Sequence, residues 1–338
     1  TDEGISGIGE GTLSPTWTGE TRPGGLAVIR DLFAPELIGQ DPRNINALMR
    51  RLSRVLVGNP FAKAAIDMAL WDIAGKAAGV PVYQLLGGKV REELPVKLVI
   101  GGFPPDEAVV LGRKFLDWGT KTLKVKVGVG DDVARVRAVR ELAGPDIPIG
   151  IDANQGWDIA TARHRLAELE EFDILFCEQP IPRHDPGALA DLRRTTKIPI
   201  MADESVFNAA DAIQLVNHRA ADILSIYPGK HGGIGPTLEI AAIAKAAGLS
   251  VTMGSNLELG IATAAMLHIG IACDAFTAEK FPGDYVGPWY HEADLLKTPL
   301  DLGPPAAKAP EGPGLGIELD EEQLEKYRDT TLKADAIG

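Results

Sequence analysis

Charged residues recur at a single interval along the middle of this chain. Lys126, Asp152, Glu178, Asp203 and Lys230 follow one another at steps of 26, 26, 25 and 27 residues. They accompany short apolar runs, at 94–100, 122–127, 147–152, 174–178, 198–203, 223–226, 250–253 and 275–279. Helical-period segments lie between them, among them 133–142, 161–170, 187–194, 209–218, 237–247 and 261–273. Such strand–helix alternation implies a parallel sheet. Eight units over about 200 residues fit a closed α/β barrel of the TIM type. An open doubly wound sheet fits less well, because no Gly-rich phosphate fingerprint follows the first strand.

In a barrel of this kind the functional groups sit at the C-terminal ends of the strands. One βα unit then carries each charged residue to the matching place on the next strand. Asp152, Glu178 and Asp203 converge from three adjacent strands, with Lys126 and Lys230 on either side. Strand alternation puts Lys124 on the face of Lys126, and Asn154 on that of Asp152. A lone acid at a strand end is often a helix N-cap, but five groups in phase are not explained that way. Three converging carboxylates repel one another unless a cation lies between them. Hard oxygen ligands, with room left for water or substrate, favour Mg²⁺, with Mn²⁺ as the alternative. Asn154, Gln179 and Glu204 are read as supports for the ligands. His231 points elsewhere by alternation and is read as structural or as part of the rim.

Composition narrows the partners. Lys plus Arg total 34 against 47 Asp plus Glu, a formal charge of −13 over 338 residues. That balance argues against nucleic acid, whose phosphates need clustered cations, and leaves room for a small anionic substrate at a local metal. Two cysteines, Cys177 and Cys273, read as reduced thiols of a cytoplasmic protein. No apolar run approaches the roughly 18 residues of a membrane span. Residues 1–90 differ in character: a Gly-, Thr- and Pro-rich loop or hairpin at 4–25, then helices at 26–37 and 61–78. Asp67 and Asp72 are read as surface groups or helix–helix polar contacts. The tail beyond Leu302 is rich in Pro and Gly and ends in an acidic helix near 321–327.

The motifs Lys124-x-Lys126, Asp152-Ala-Asn154, Glu178-Gln-Pro180, Asp203-Glu204-Ser205 and Lys230-x-Gly232-Gly233 resemble the enolase superfamily, and within it the muconate-lactonizing-enzyme subgroup. The resemblance covers nearly the whole chain. It implies a modified (β/α)₇β barrel at 91–302 with an irregular last unit. It also implies an α+β cap built from residues 1–90 and 303–338, and a homo-oligomer. Relatives carry a strand and a mobile loop ahead of the segment resembling Thr1–Glu10, and many have a lysine where Tyr227 stands. Carried over by residue, Asp152, Glu178 and Asp203 resemble the magnesium ligands, and Lys126 and Lys230 the acid/base pair on opposite faces of the substrate. Lys124 resembles the donor to the substrate carboxylate, and Asp284 an acidic residue often found at the last strand.

The implied chemistry is abstraction of the weakly acidic proton next to a carboxylate, giving an enolate whose charge a divalent cation stabilises. A lysine does this near neutrality only if its pKa falls well below about 10.4, as a nearby cation and desolvation favour. Cycloisomerisation of a muconate-like diacid, or racemisation or epimerisation of a small carboxylate, is the expected outcome. Dehydration of a hydroxy acid through the same enolate is the alternative, and a metal-binding homologue without catalysis is the alternative of another class.

Overall fold

The computed structural model describes residues 1–329. Residues 330–338 of the expected C-terminal cap segment lie outside that range. Seven parallel strands form one sheet in sequence order: β1 Leu98–Ile100, β2 Leu123–Lys126, β3 Ile149–Asp152, β4 Ile174–Glu178, β5 Ile200–Ala202, β6 Ile223–Ile226 and β7 Ser250–Met253. Most of their apolar side chains join a core shared with the surrounding helices, as a parallel sheet covered on its outer face requires, while Phe176, Met201 and Ile223 form a second, smaller cluster with Phe281.

The eighth apolar run, at 275–279, does not become a regular strand. Its one ladder contact is a bridge from Phe276 to Val251. The Lys280 and Phe281 amides donate back to the Thr277 carbonyl, and Pro282 has no N–H for a ladder. The chain nevertheless closes the barrel. Asp284 N donates to Met253 O on one side, while Gly283 N donates to Pro95 O on the other, each at 3.0 Å. The barrel is therefore of the (β/α)₇β kind, with an irregular last unit. The first apolar run also divides: Leu94–Pro95 pairs antiparallel with Ala306–Ala307, and only the part from Leu98 enters the barrel.

Two helices in the N-terminal part dominate its packing. α1 is Ile45–Val55 and α2 is Pro60–Ala78. The sequence reading passed over α1, although Ile45, Leu48 and Leu52 give it a buried face at helical spacing. Residues 4–25 form no hairpin among the described residues; they run extended and then turn into the helical stretch that begins at Arg22. Gly9 lets this segment lie against α2, since a Cβ there would stand 1.8 Å from the Ala65 carbonyl oxygen. The Glu20 carboxylate accepts from Phe61 N at 3.3 Å and Ala62 N at 3.0 Å. It thereby satisfies orphan amides at the start of α2.

The barrel helices follow as α3 Pro105–Asp117, α4 Asp132–Ala143, α5 Ile159–Leu169, α6 Pro186–Arg193, α7 Ala209–His218, a short turn α8 Pro228–His231, α9 Ile234–Ala246 and α10 Gly260–Ala272. Asp67 and Asp72 of α2 are buried rather than superficial. Asp72 accepts from Ile8 N and Leu315 N and pairs with Lys76, joining both terminal segments to α2. Asp67 accepts from Ile234 N at 2.6 Å, at the start of α9. Its carboxyl fills the space over Gly233, whose φ of +134° is open only to glycine. Through Asp67, α2 grips the turn that carries Lys230. No helix among the described residues is long and apolar enough to cross a membrane.

Burial raises the Asp67 carboxyl to about 7, against the opposing pull of the Ile234 amide. A folded pKa above the unfolded one stabilises the fold fully below about pH 4, and that stabilisation is lost as pH rises through 7. Asp67→Asn should therefore gain on the wild type between pH 4 and 8, by on the order of 4 kcal/mol. Urea unfolding of both proteins across that range checks this; a constant difference between them would contradict it.

Candidate active site

The register of the barrel delivers the predicted residues as neighbours. Lys126 stands opposite Asp152, and Asp152 opposite Glu178, at the C-terminal ends of β2, β3 and β4. Glu178 faces Met201 of β5, so Asp203 follows two residues later, just past the strand. Asp284 reaches the same place from the irregular closing segment. All of these side chains except that of Lys126 are nearly fully buried.

Lys124 lies at the centre of the acids. Its Nζ is 2.9 Å from Asp284 Oδ2, 3.1 Å from Glu178 Oε2 and 3.3 Å from Asp152 Oδ2. Lys126 Nζ donates to Asp152 Oδ2 at 2.6 Å and also to Asn154 Oδ1. Its side chain keeps 30% exposure, against 5% for Lys124 and 0% for Lys230. The residues read as supports lie beside these groups. Asn154 donates to Glu204 Oε1 at 3.1 Å. Gln179 accepts from the amides of Asp203 and Ser205 and donates to Ser205 Oγ, which shapes the turn bearing Asp203.

Lys230 is placed differently from the expectation that it faces the substrate opposite Lys126. It sits on the turn α8, not on a strand. Its Nζ donates to the Asp203 carbonyl at 2.7 Å, to Asp203 Oδ1, and to the Ser225 carbonyl at 3.0 Å. An ammonium has three donors, and these contacts use all of them. The residue just past β6 is Tyr227, which is fully buried, with no partner for its hydroxyl among the described residues. Trp17 packs on Tyr227 with ring centroids 6.4 Å apart. His231 Nδ1 lies 3.0 Å from the Phe207 carbonyl, a structural contact.

The electrostatics follow from crowding. Burial raises Glu178 to about 7; Lys124 opposes this, while Asp152, Asp203 and Asp284 add to it. Burial also works on Asp152, but Lys126 and Lys124 outweigh it and hold that carboxyl at about 2. Burial, then Asp203 and Asp152, push Glu204 up to about 8, and its Oε2 has no partner among the described residues. Asp284 Oδ1 is likewise unpartnered. Among the described residues no three acids are set around one common point; the carboxylates lean on lysines instead. Even so, the donor set fits a hard divalent cation: three buried carboxylates from adjacent strand ends, whose mutual repulsion such an ion would relieve.

Lys97 belongs to this network and was missed by sequence reading. It is buried, donates to the Pro282 carbonyl at 2.7 Å and lies 3.2 Å from Asp284 Oδ2. It stands 29 residues before Lys126 and just ahead of β1, off the interval kept by the strand-end groups.

A cavity of about 570 Å³ opens over the cluster. Lys124, Lys126, Asp152, Glu178, Asp203 and Asp284 line it, and Trp17 forms part of its wall. Lys230 instead lines a neighbouring space of about 1020 Å³, which also touches Trp17.

Comparison with known proteins agrees with this geometry. Residues 1–87 match the mandelate racemase/muconate lactonizing enzyme N-terminal domain, and residues 107–323 match the enolase C-terminal domain-like family. The N-succinyl-L-Arg/Lys racemase of Bacillus cereus is 36% identical over 329 residues, 96% of this chain and 88% of the relative. A chloromuconate cycloisomerase of Pseudomonas putida is 32% identical over 330 residues, with the same coverage. The crystal structure of the Bacillus cereus racemase superposes with a TM-score of 0.92, covering 96% of this chain and 88% of that one. A muconate lactonizing enzyme of Pseudomonas fluorescens, complexed with muconolactone, superposes with a TM-score of 0.92 at 35% identity, covering 97% and 89%. These relatives are isomerases on the same barrel, from divalent-metal-dependent stock. The chain belongs to the mandelate racemase/muconate lactonizing enzyme family of the enolase superfamily.

Proposed function

We propose that this chain is a magnesium-dependent cycloisomerase that removes the proton next to a substrate carboxylate, with Lys126 as the base. One observation carries the choice. Of the three lysines expected at the site, Lys126 alone combines contact with a candidate ligand carboxylate, exposure, and a place on the cavity wall. Asp152, Glu178 and Asp203 would hold the ion, which when bound supplies positive charge to the oxygen that becomes anionic. Lys124, steadied by Asp284, is the donor for the substrate carboxylate. Lys126 takes the proton on one face as the β C–O bond of a lactone ring breaks and its oxygen leaves as a carboxylate; in the reverse direction that carboxylate adds to the double bond and Lys126 returns the proton to the same face. Asn154 orients Lys126 through its side-chain oxygen. The free thiols of Cys177 and Cys273 support a cytoplasmic setting.

Lys230 decides against racemisation as the first reading. With every donor engaged by Asp203 and Ser225, its role is to hold the Asp203 turn. Racemisation or epimerisation is the second reading, favoured by the kinship with the Bacillus cereus racemase, and it requires Lys230 to leave those partners.

Incubation with a carboxylate panel in D₂O tests the choice. Deuterium should enter next to the carboxylate with configuration retained and without release of water. Accumulation of the opposite epimer at the rate of exchange would establish the two-base reading, and loss of water would mark a dehydratase. Lys126→Ala should lower exchange by about 10³-fold, the usual scale of a lost general base. Thorough chelation should stop exchange and added magnesium restore it; exchange that survives either change contradicts the mechanism.

A further inference from the structure

Lys126, the last residue of β2, has a ladder partner on one side only. The register between β1 and β2 stops at Ile100 opposite Val125, whereas β3 still reaches Lys126 through Asp152. The chain just beyond Lys126 offers little to hold it. Gly128, Gly130 and Asp131 take positive φ, at +85°, +92° and +53°, and Val129 between the glycines is 67% exposed. Glycine loses the most backbone freedom when it is ordered, and a segment with few buried apolar contacts opens readily. Something else must fix this strand end.

Arg135, near the start of α4, does so. Its guanidinium is buried and spreads its donors over two loops. Nη1 donates to the Lys126 carbonyl at 3.1 Å, and Nη2 to the Gly130 carbonyl at 2.8 Å. Nε donates to the Phe103 carbonyl, and Nη2 also reaches that of Gly102 at 3.4 Å, both just past β1. The guanidinium therefore bridges the two strand ends at the level where their ladder has stopped. Buried Asp132 completes the knot. Its Oδ1 lies 3.4 Å from Arg135 Nη1 and accepts from Gly128 N at 3.0 Å. Its Oδ2 accepts from Trp157 Nε1 at 2.9 Å, in the loop after β3. Arginine presents five N–H donors in a rigid plane, which a lysine cannot reproduce.

We infer that Arg135 is a positioning residue for Lys126, fixing where the base stands against the substrate. Lys124, two residues deeper in β2, has ladder partners on both sides, Val99 and Gly150. Glu178 and Asp203 stand on or beside other strands, and Asp152 has its own partner in Glu178. The effect thus falls on the base and spares the candidate ion ligands and the carboxylate donor. Arg140 of the same helix is a matched control. It too donates to backbone carbonyls, those of Phe172, Asp173, Gly144 and Ile147, but these precede β4 and β3 at the opposite end of the barrel. The inference rests on the proposed function, because it takes Lys126 as the base.

Arg135→Lys keeps the charge and removes the planar fork. Proton exchange in D₂O by the magnesium-loaded full chain is compared in both proteins, on a carboxylate panel that includes muconolactone. The variant's kcat should fall by at least about tenfold, since a misplacement on the order of 1 Å can cost about 10² in rate. KM and the affinity for Mn²⁺ should not change, because the lost interaction serves the transition state alone. Arg140→Lys should leave kcat as in the wild type. A folded Arg135→Lys protein that exchanges at the wild-type rate overturns the inference. So does a loss that falls on kcat, KM and Mn²⁺ affinity together, a loss shared by Arg140→Lys, or an Arg135→Lys protein that does not fold, since the group then serves the fold as a whole. If the wild type exchanges no carboxylate of the panel, the proposed function fails, and this inference with it.

Discussion

Everything at the barrel mouth is arranged around one electrostatic problem: Asp152, Glu178, Asp203 and Asp284 are buried in the same place. Isolated carboxylates are costly to bury, and adjacent ones raise the cost. The chain answers with lysines. Lys124 spans Asp284, Glu178 and Asp152, Lys97 reaches Asp284 from β1's side, and Lys230 holds Asp203. Such a cluster makes poor sense as a source of stability, since buried ion pairs seldom repay their desolvation. It makes good sense as a site that receives a divalent cation and a substrate anion, each of which satisfies charges that the protein leaves crowded.

The rest of the fold holds that cluster in position. Sequential strand register sets Lys126, Asp152 and Glu178 side by side, so precision comes from backbone ladders rather than from loops. The N-terminal part then closes over it. Glu20 fixes the segment after Trp17 to the start of α2, and Asp67 fixes α2 to the turn that carries Lys230. Trp17 thereby becomes a wall of the cavity and a cover for Tyr227.

Most of this was legible in the sequence because the signal repeats. An interval of about 26 residues is a βα unit, and four charged groups in phase with it, Lys126, Asp152, Glu178 and Asp203, locate strand ends. Lys97, 29 residues before Lys126 and ahead of β1, falls outside that interval. Other features were not periodic. The 275–279 run looks like a strand by composition, but Pro282 and the turn at Thr277 limit it to a single bridge. Lys230 continues the spacing, yet Tyr227-Pro228 starts a helical turn and swings its amine behind Asp203. The knot around Arg135 joins the loops after β1, β2 and β3, a tertiary meeting that no local pattern announces.

The central claim is that the crowded carboxylates form a divalent-cation site. Titration of the full chain with Mn²⁺, followed by electron paramagnetic resonance, tests it directly. The account predicts one ion bound per chain, displaced by Mg²⁺ and lost in Glu178→Gln. Undiminished binding in a folded Glu178→Gln protein, or no binding by the wild type, would contradict it.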